Sequence, residues 1–269
     1  MMILRNKRYI LLAFLICTLS VVIAHEFWLQ PLKFIYSVGE KVKINFVAGV
    51  NFIGEPLNLK RNQVESLTHY HAATVTDLKA TLAEGTKDHL EFVLPEEGTH
   101  LLVMESVRTV YEQDAEKFNA ELKEYGLDDV IAAREKAGAQ NKPTRELYAQ
   151  LTKVLVQAGA KRDDTYKKVV GFPIEIVPER NSYSLKAGDN MRFKILWNKK
   201  PLFGVRAKVW NRKEGLTTLQ NIYTEQDGTI QTPISNKGTW MVSVVYTVPS
   251  KDAQADWVSY RCNLVFGVE

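Results

Sequence analysis

Histidine is the residue type in this chain with the clearest capacity for chemistry, because a neutral imidazole is the commonest protein ligand for transition metals. The 269-residue sequence contains five histidines, at positions 25, 69, 71, 89 and 100. His69 and His71 are two residues apart. If their segment is extended, both imidazoles point to one face and could reach one ion. The alternative is that both are polar surface residues on an edge strand or loop.

His25 gains a second nitrogen ligand if the chain is cut directly in front of it. Arg5, Lys7 and Arg8 precede an almost unbroken apolar run over residues 10–23, and Val22 and Ala24 occupy the −3 and −1 positions of a cleavage site. This order is that of a secretory signal peptide. The run is short for a membrane span, which needs ~20 residues. We therefore predict a signal peptide over residues 1–24, export to the periplasm and a mature chain that begins at His25.

A free N-terminal histidine offers its α-amine and its imidazole, which together close a chelate ring on a metal ion. Nitrogen ligands of this kind suit copper, nickel, zinc and cobalt and bind hard cations poorly. Imidazoles from His69 and His71 would complete a four-nitrogen site, whose tetragonal form favours Cu(II) or Ni(II). The sequence thus predicts a metal site of His25, His69 and His71. The alternative is that any cut leaves some residue first and that histidine is incidental here.

The charge balance excludes an electrostatic case for nucleic acid. The formal net charge is +4, but the predicted signal contributes three of the 35 basic residues and none of the 31 acidic ones. The mature chain is therefore nearly neutral, which removes the basic surface that nucleic-acid binding needs. We predict a metal ion as a partner, no nucleic acid, and no membrane span in the mature chain.

The two cysteines separate on cleavage, since Cys17 lies in the predicted signal and Cys262 near the C-terminus. The mature chain would hold one thiol and no internal disulfide. A lone cysteine among strand-forming residues is typical of a buried strand position rather than a reactive thiol.

Short strands separated by turn residues are predicted over residues 25–111. Val42, Ile44 and Phe46 alternate with Lys43 and Asn45, which is the two-residue period of a half-buried strand. Further strands are predicted at residues 73–78, 89–94 and 100–107. Such spacing indicates an N-terminal antiparallel β-sandwich domain.

Residues 112–160 change to a helical period and predict a helical insertion. One helix presents Phe118, Leu122 and Tyr125 and stops at Gly126, and a second is predicted over residues 127–137. A third helix is predicted from Thr144 to Gly159, because its apolar residues recur at helical spacing. The block could pack on a sandwich, bridge the two halves or bind a partner.

Strands resume over residues 167–269, with about seven predicted in about 100 residues, the count of an immunoglobulin-like sandwich. Six of them lie at residues 172–177, 191–197, 205–210, 216–223, 239–248 and 257–266. The predicted fold class is therefore mainly β, with two antiparallel β-sandwich domains of immunoglobulin-like type and a helical insertion between them.

The common enzyme motifs are missing from the sequence. It has no Gly-x-Ser-x-Gly elbow, no glycine-rich phosphate loop and no His-Glu-x-x-His zinc helix. This favours a non-catalytic protein.

Several segments resemble a secreted family known as domain of unknown function 4198. They are residues 24–31 (AHEFWLQP), 124–127 (EYGL), 145–148 (RELY), 171–178 (GFPIEIVP), 201–204 (PLFG), 224–228 (TEQDG), 238–240 (GTW) and 255–259 (ADWVS). The family is grouped with periplasmic components of cobalt and nickel uptake. The resemblance therefore implies metal handling in the cell envelope, with an inner-membrane metal permease as a possible partner, and supports a ligand role for His25 alone.

Three functions follow as hypotheses. The first is an exported transition-metal-binding protein, an accessory to nickel or cobalt uptake. The second is an oxidative copper enzyme, since an N-terminal histidine with a second histidine resembles the copper brace of lytic polysaccharide monooxygenases. The third is a structural or adhesive envelope module that docks a partner through its C-terminal sandwich.

Overall fold

A computed structural model describes residues 26–82, 85 and 87–269, so the predicted signal peptide and His25 lie outside the described residues. In the described part, no helix has the length and apolar character needed to cross a membrane. The strands and helices, in chain order, are β1 (Glu26–Pro31), β2 (Ile35–Tyr36), β3 (Lys41–Val50), β4 (Ile53–Pro56), β5 (Val64–His71), β6 (Thr74–Asp77), β7 (His89–Val93), β8 (Gly98–Ser106), β9 (Thr109–Gln113), α1 (Ala115–Tyr125), α2 (Asp128–Lys136), β10 (Thr144–Ala158), β11 (Ile174–Pro178), β12 (Asn190–Trp197), β13 (Lys200–Pro201), β14 (Arg206–Lys213), β15 (Leu216–Tyr223), β16 (Thr229–Pro233), β17 (Gly238–Pro249) and β18 (Trp257–Val268).

A ten-stranded sheet forms the centre of the described chain. Its strands follow the order β15-β14-β17-β18-β10-β8-β5-β6, and the short strands β2 and β9 also pair with β10. The pairs β10–β18 and β10–β2 are parallel, and the other pairs in this sheet are antiparallel. Strand β10 thus joins strands from the N-terminal half to strands from the C-terminal half.

Two four-stranded sheets cover opposite faces of the central sheet. One contains β1, β3, β4 and β7, and the apolar cluster beneath it is here called the N-core. The other contains β11, β12, β13 and β16 and covers the C-core. Strand β10 shows the arrangement, because Val154 and Val156 lie in the N-core whereas Leu151 and Leu155 lie in the C-core. The molecule therefore has three β layers.

The predicted fold class, mainly β with antiparallel sheets, is confirmed. Each half supplies a pair of facing sheets, as a sandwich requires, but one sheet of each pair belongs to the same ten-stranded sheet. The immunoglobulin-like arrangement and the boundaries of the two domains stay predictions.

The third predicted helix is wrong, because residues 144–158 form the long strand β10. From Ala149 onwards nearly every side chain of this strand is buried, since a sheet layer covers each face. A strand buried on both faces is a near-continuous apolar run. Such a run also contains apolar residues at helical spacing, so periodicity alone could not separate strand from helix.

The first two helices are confirmed. Phe118, Leu122 and Tyr125 form the buried face of α1, and Gly126 ends it with a positive φ of 67°. Glycine adopts this left-handed conformation without the penalty that a Cβ atom brings. The helices pack on the central sheet at Val245 and Trp257, which lie on β17 and β18.

The one cysteine among the described residues is buried, as predicted. Cys262 lies on β18 and is 1% exposed, and burial raises the pKa of its thiol to about 12. A thiol with this pKa stays protonated at neutral pH and is a poor nucleophile. Cys262 is therefore a core residue of the sheet.

Candidate functional site

Three histidines meet where the end of β5 lies beside the start of β8. The antiparallel register places His69 opposite Leu102 and Tyr70 opposite Leu101, which makes His71 the neighbour of His100. His69, His71 and His100 all point toward the N-core face, because alternate strand residues share a face. All three are buried, with at most 6% exposure. The predicted pair is thus joined by a third imidazole.

The rings are in direct contact. His69 Nε2 lies 2.8 Å from His100 Nδ1, with the two ring planes 17° apart. His71 stacks on His100 with ring centroids 4.2 Å apart and planes 16° apart. A hydrogen bond between two imidazoles needs one N–H and one unprotonated nitrogen.

Backbone carbonyl groups determine which nitrogens carry protons. His100 Nε2 lies 3.0 Å from the Glu96 carbonyl oxygen, and His71 Nδ1 lies 3.1 Å from the Thr99 carbonyl oxygen. A carbonyl only accepts, so both nitrogens donate. His100 Nδ1 then accepts from His69 Nε2. In neutral rings the unprotonated nitrogens are then His100 Nδ1, which accepts from His69, and His69 Nδ1 and His71 Nε2, which accept from no other imidazole.

One of these two nitrogens faces a carboxylate. His71 Nε2 lies 3.5 Å from Glu96 Oε2, and the Glu96 side chain is 63% exposed. Two unprotonated acceptors repel each other unless a proton or a cation lies between them. Two ligand atoms, each about 2.1 Å from a tetrahedral ion, stand about 3.4 Å apart. The spacing of His71 Nε2 and Glu96 Oε2 therefore suits a shared metal ion as well as a shared proton.

Burial keeps two of the imidazoles neutral. Desolvation, followed by the charges of His100 and His71, lowers the pKa of His69 from 6.5 to about 4. Desolvation likewise lowers the pKa of His100 to about 4. An imidazole binds a metal only in its unprotonated form, so this environment holds both rings in the form that a metal site needs.

A pocket of about 160 Å³ opens onto the cluster. His69, His71, His100, Glu96 and Phe92 contribute to its walls. Pockets for drug-sized organic ligands usually measure about 300–1,000 Å³. The volume thus fits an ion with a few water molecules or a very small molecule.

Within residues 26–82, 85 and 87–269, no three His, Cys, Asp or Glu side chains stand in ready metal-ligand geometry. Binding at the cluster would therefore combine the existing His71–Glu96 spacing with a turned ring or with water. The unprotonated Nδ1 of His69, a residue that lines the same pocket, is the available third ligand atom.

Gly98 fixes the approach of the neighbouring loop to the cluster. Its φ is 145°, and a Cβ atom added there would lie 2.2 Å from Asp163 Oδ2 and 2.6 Å from His71 Cε1. Asp163 Oδ2 accepts a hydrogen bond of 2.9 Å from the Thr99 amide. Although burial opposes it, hydrogen bonds from Thr165 and Thr99 hold the pKa of the Asp163 carboxyl below its usual value.

Gly98→Ala is expected to lower the free energy of unfolding by more than about 1 kcal/mol. The positive φ is unfavourable for alanine, and its Cβ atom would clash with Asp163 and His71. Gly188→Ala is the matched control, since Gly188 also has a positive φ but no atom within 4 Å of an added Cβ. Urea unfolding should show a larger loss for Gly98→Ala. Equal losses in the two variants would mean that the clash with His71 and Asp163 does not contribute to the loss of stability.

His25 lies outside the described residues, but its neighbour Glu26 is placed far from the cluster. Glu26 pairs with Gly49 on β3. Phe92 marks the position of the cluster, because its ring centroid is 5.2 Å from that of His69. Phe92 pairs with Val42, seven residues from Gly49 on the same strand. Seven residues of extended strand span about 23 Å. Because His25 itself lies outside the described residues, the predicted site that combines it with His69 and His71 stays a prediction.

His89 is a separate histidine. Its Nδ1 lies 2.5 Å from Asp88 Oδ1, and its Nε2 lies 3.8 Å from Glu91 Oε1 on the same strand. The side chain is 20% exposed. These contacts in the described part of the chain do not include the three-histidine cluster, which makes His89 a suitable control position.

A larger cleft of about 640 Å³ lies elsewhere, between β4, the end of β8 and β10. Among the described residues that line it, Glu55 is the one with a charge, and none is a histidine or a cysteine. Of these two cavities, the smaller one contains the imidazole side chains that could bind a metal.

Sequence reasoning identified His69 and His71 but missed His100 and Glu96 as members of the site. The even spacing of His100, Leu102 and Met104 could have shown that His100 shares the core face of β8. Their proximity to β5 could not be read, because β5 and β8 are separated in the chain by β6 and β7.

Solved structures give only distant similarity. Dimeric latent PorU from Porphyromonas gingivalis is 11% identical, with a TM-score of 0.18, and the match covers 91% of this chain and 20% of PorU. The three N-terminal domains of the highly immunogenic outer capsid protein Hoc of bacteriophage RB49 are 9% identical, with a TM-score of 0.17, covering 89% of this chain and 98% of that one. Both TM-scores are too low to show a common fold.

Family membership has direct support. No curated protein matches the sequence. The family described as "Domain of unknown function (DUF4198)" matches residues 22–248, which include the histidine cluster and both small sheets. The match spans well over half of the sequence, and this chain therefore belongs to the DUF4198 family.

Proposed function

We propose that the protein is an exported transition-metal-binding protein whose metal site is the cluster of His69, His71, His100 and Glu96. The observation that carries the proposal is the 3.5 Å separation between His71 Nε2 and Glu96 Oε2. A cation or a proton between these two acceptor atoms would remove their repulsion, and the distance is close to the spacing of about 3.4 Å for two ligands on one tetrahedral ion.

The remaining groups have supporting roles. His69 supplies the second unprotonated nitrogen. His100 holds the ring of His69 by accepting from its Nε2, and its own Nε2 donates to the Glu96 carbonyl oxygen. Hydrogen bonds of this kind orient ligating histidines. A set of imidazole and carboxylate ligands suits nickel, cobalt, zinc or copper.

The cellular setting of the proposal rests on the sequence. The predicted signal peptide supports export to the periplasm, and the resemblance to envelope proteins of nickel and cobalt uptake supports an accessory role beside a metal permease. His25 remains a predicted metal ligand. Because Glu26 lies far from His69, a chelate at His25 would form a second, independent site.

The copper-brace hypothesis needs a second histidine beside His25. Glu26 lies opposite Gly49 of β3. In the described part of the chain, the histidine that pairs with β3 is His89, which lies opposite Asn45, four residues from Gly49. Four residues of strand span about 13 Å. This spacing gives the brace no support, so we propose metal binding without an oxidative reaction.

The proposal is tested by calorimetric titration of the mature chain, residues 25–269, with Ni(II), Co(II), Cu(II) and Zn(II). At least one ion should bind at a saturable site tighter than micromolar. His71→Ala should weaken that site by at least about 100-fold, because removal of a mere orienting partner already costs about 10–100-fold. His89→Ala is the matched control and should bind as the unmodified chain does.

Two results would contradict the proposal. One is the absence of a saturable site for all four ions. The other is a site that survives His71→Ala but is lost when the α-amine of His25 is acetylated, which would place the metal at the N-terminus.

A further inference from the structure

Strand β15 is an open edge of the central sheet. It covers Leu216–Tyr223, and in the described part of the chain it pairs only with β14. Alternate amide and carbonyl groups on its outer side therefore face away from the sheet. An eight-residue strand offers a row of such groups about 27 Å long.

This edge lacks the features that usually prevent strand pairing. Soluble proteins protect edges with charged residues, proline, bulges or very short strands. The sequence of β15, LTTLQNIY, contains no charged residue and no proline. The opposite edge, β6, has only four residues and carries Asp77. One edge of the sheet is thus protected and the other is not.

Large apolar side chains line the unprotected edge. Leu216 is 76% exposed, Leu219 is 40% exposed and Tyr223 is 48% exposed. Phe203, 66% exposed, lies beside the end of the strand, since the amide of its neighbour Gly204 donates to the Thr224 carbonyl oxygen. Apolar groups concentrated along one edge favour burial against a partner.

The strand is complementary to its own copy. In an antiparallel pair with Leu219 opposite Leu219, Leu216 lies opposite Ile222 and Thr218 lies opposite Gln220. No like charges meet in this register or in any other, because the strand is uncharged. Two-fold symmetric pairing uses the same surface twice, which is the commonest way in which soluble proteins form oligomers.

We propose that β15 is a dimerisation edge, at which two copies of this chain pair antiparallel and join their central sheets into one continuous sheet. A partner of a different kind would gain from charges that match its own, whereas this edge offers backbone groups and uncharged side chains only. In this register the two copies would bury Leu219 against its counterpart and Leu216 against Ile222. The proposal is independent of the metal site, which lies toward the opposite edge of the sheet on β5 and β8.

Analytical ultracentrifugation of the mature chain, from low micromolar to near-millimolar concentration, tests the proposal. The weight-average mass should rise toward twice that of the monomer. Leu219→Lys should keep the chain monomeric, because two ammonium groups would face each other across the pair. Val75→Lys, which places the same charge at an exposed position of the opposite edge, is the matched control and should dimerise normally.

A second variant locates the contact directly. Leu219→Cys should form a disulfide between two copies under mild oxidation, and Cys262 cannot contribute because it is buried. A chain that stays monomeric at every concentration, or a dimer that Leu219→Lys leaves intact, would overturn the proposal. Failure of Leu219→Cys to cross-link a confirmed dimer would also overturn the proposed register.

Discussion

Lys153→Met is expected to lower the free energy of unfolding by about 3–5 kcal/mol, the usual cost of breaking a buried ion pair from one side. Lys153 on β10 is 1% exposed, and its Nζ donates to Glu175 Oε1 on β11 and, at 3.3 Å, to the Ile176 carbonyl oxygen. Glu175 is also 1% exposed. Removal of the ammonium group leaves a buried carboxylate without its counter-charge.

Two controls separate this mechanism from a general loss of packing. Lys167→Met breaks an exposed pair, Lys167 Nζ to Asp164 Oδ2 at 2.7 Å, and should cost less than about 1 kcal/mol. The double variant Lys153→Met with Glu175→Gln removes both charges and should recover part of the loss. Urea unfolding measures all three.

If Lys153→Met costs no more than Lys167→Met, the buried ion pair contributes no more to stability than the exposed one. A double variant less stable than Lys153→Met alone would show that the two charges do not act as a pair. Glu175 would then be held by the amides of Val170 and Gly171, from which it accepts hydrogen bonds of 2.7 and 3.0 Å.

The metal-free protein is expected to lose stability between pH 6.5 and pH 4 through His69 and His100, by up to roughly 3 kcal/mol for each of the two imidazoles. The unfolded chain protonates His69 and His100 near pH 6.5, but the folded chain resists protonation until about pH 4. Between these values the unfolded state binds more protons, so acidification favours unfolding. The contribution is complete above pH 6.5, falls as the pH falls, and is fully lost below pH 4.

Urea unfolding at a series of pH values, with chelator present, measures this dependence. One imidazole contributes up to about 1.4 kcal/mol per pH unit within the window. His100→Asn should flatten the curve between pH 6.5 and pH 4, whereas His89→Asn should leave it unchanged. An equally steep curve in His100→Asn would show that the cluster is not the source.

The alternating strands and the first two helices could be predicted because their local pattern matches their burial. Strand β3 has one face in the N-core, and α1 buries one stripe of side chains. Strand β10 could not be predicted in the same way. Its burial on both faces depends on two sheets formed by distant segments, and this tertiary context decides the conformation.

The site was predictable only in part for a similar reason. The spacing of His69 and His71 predicts a common face once β5 is known to be extended. The partner ring of His100 depends on the register of β8 against β5, and Glu96 comes from the turn that precedes β8. The carboxylate that faces His71 could therefore be found only from the folded chain.

Pulsed electron paramagnetic resonance of bound Cu(II) tests the proposed metal site most directly, because it detects imidazole nitrogens around the ion. The mature chain with His25→Ala removes the competing terminal imidazole. In this background we predict a clear imidazole signal that His71→Ala abolishes or changes and that His89→Ala leaves intact. An identical signal in all three chains, or no imidazole signal in any, would contradict a metal site at His69, His71 and Glu96.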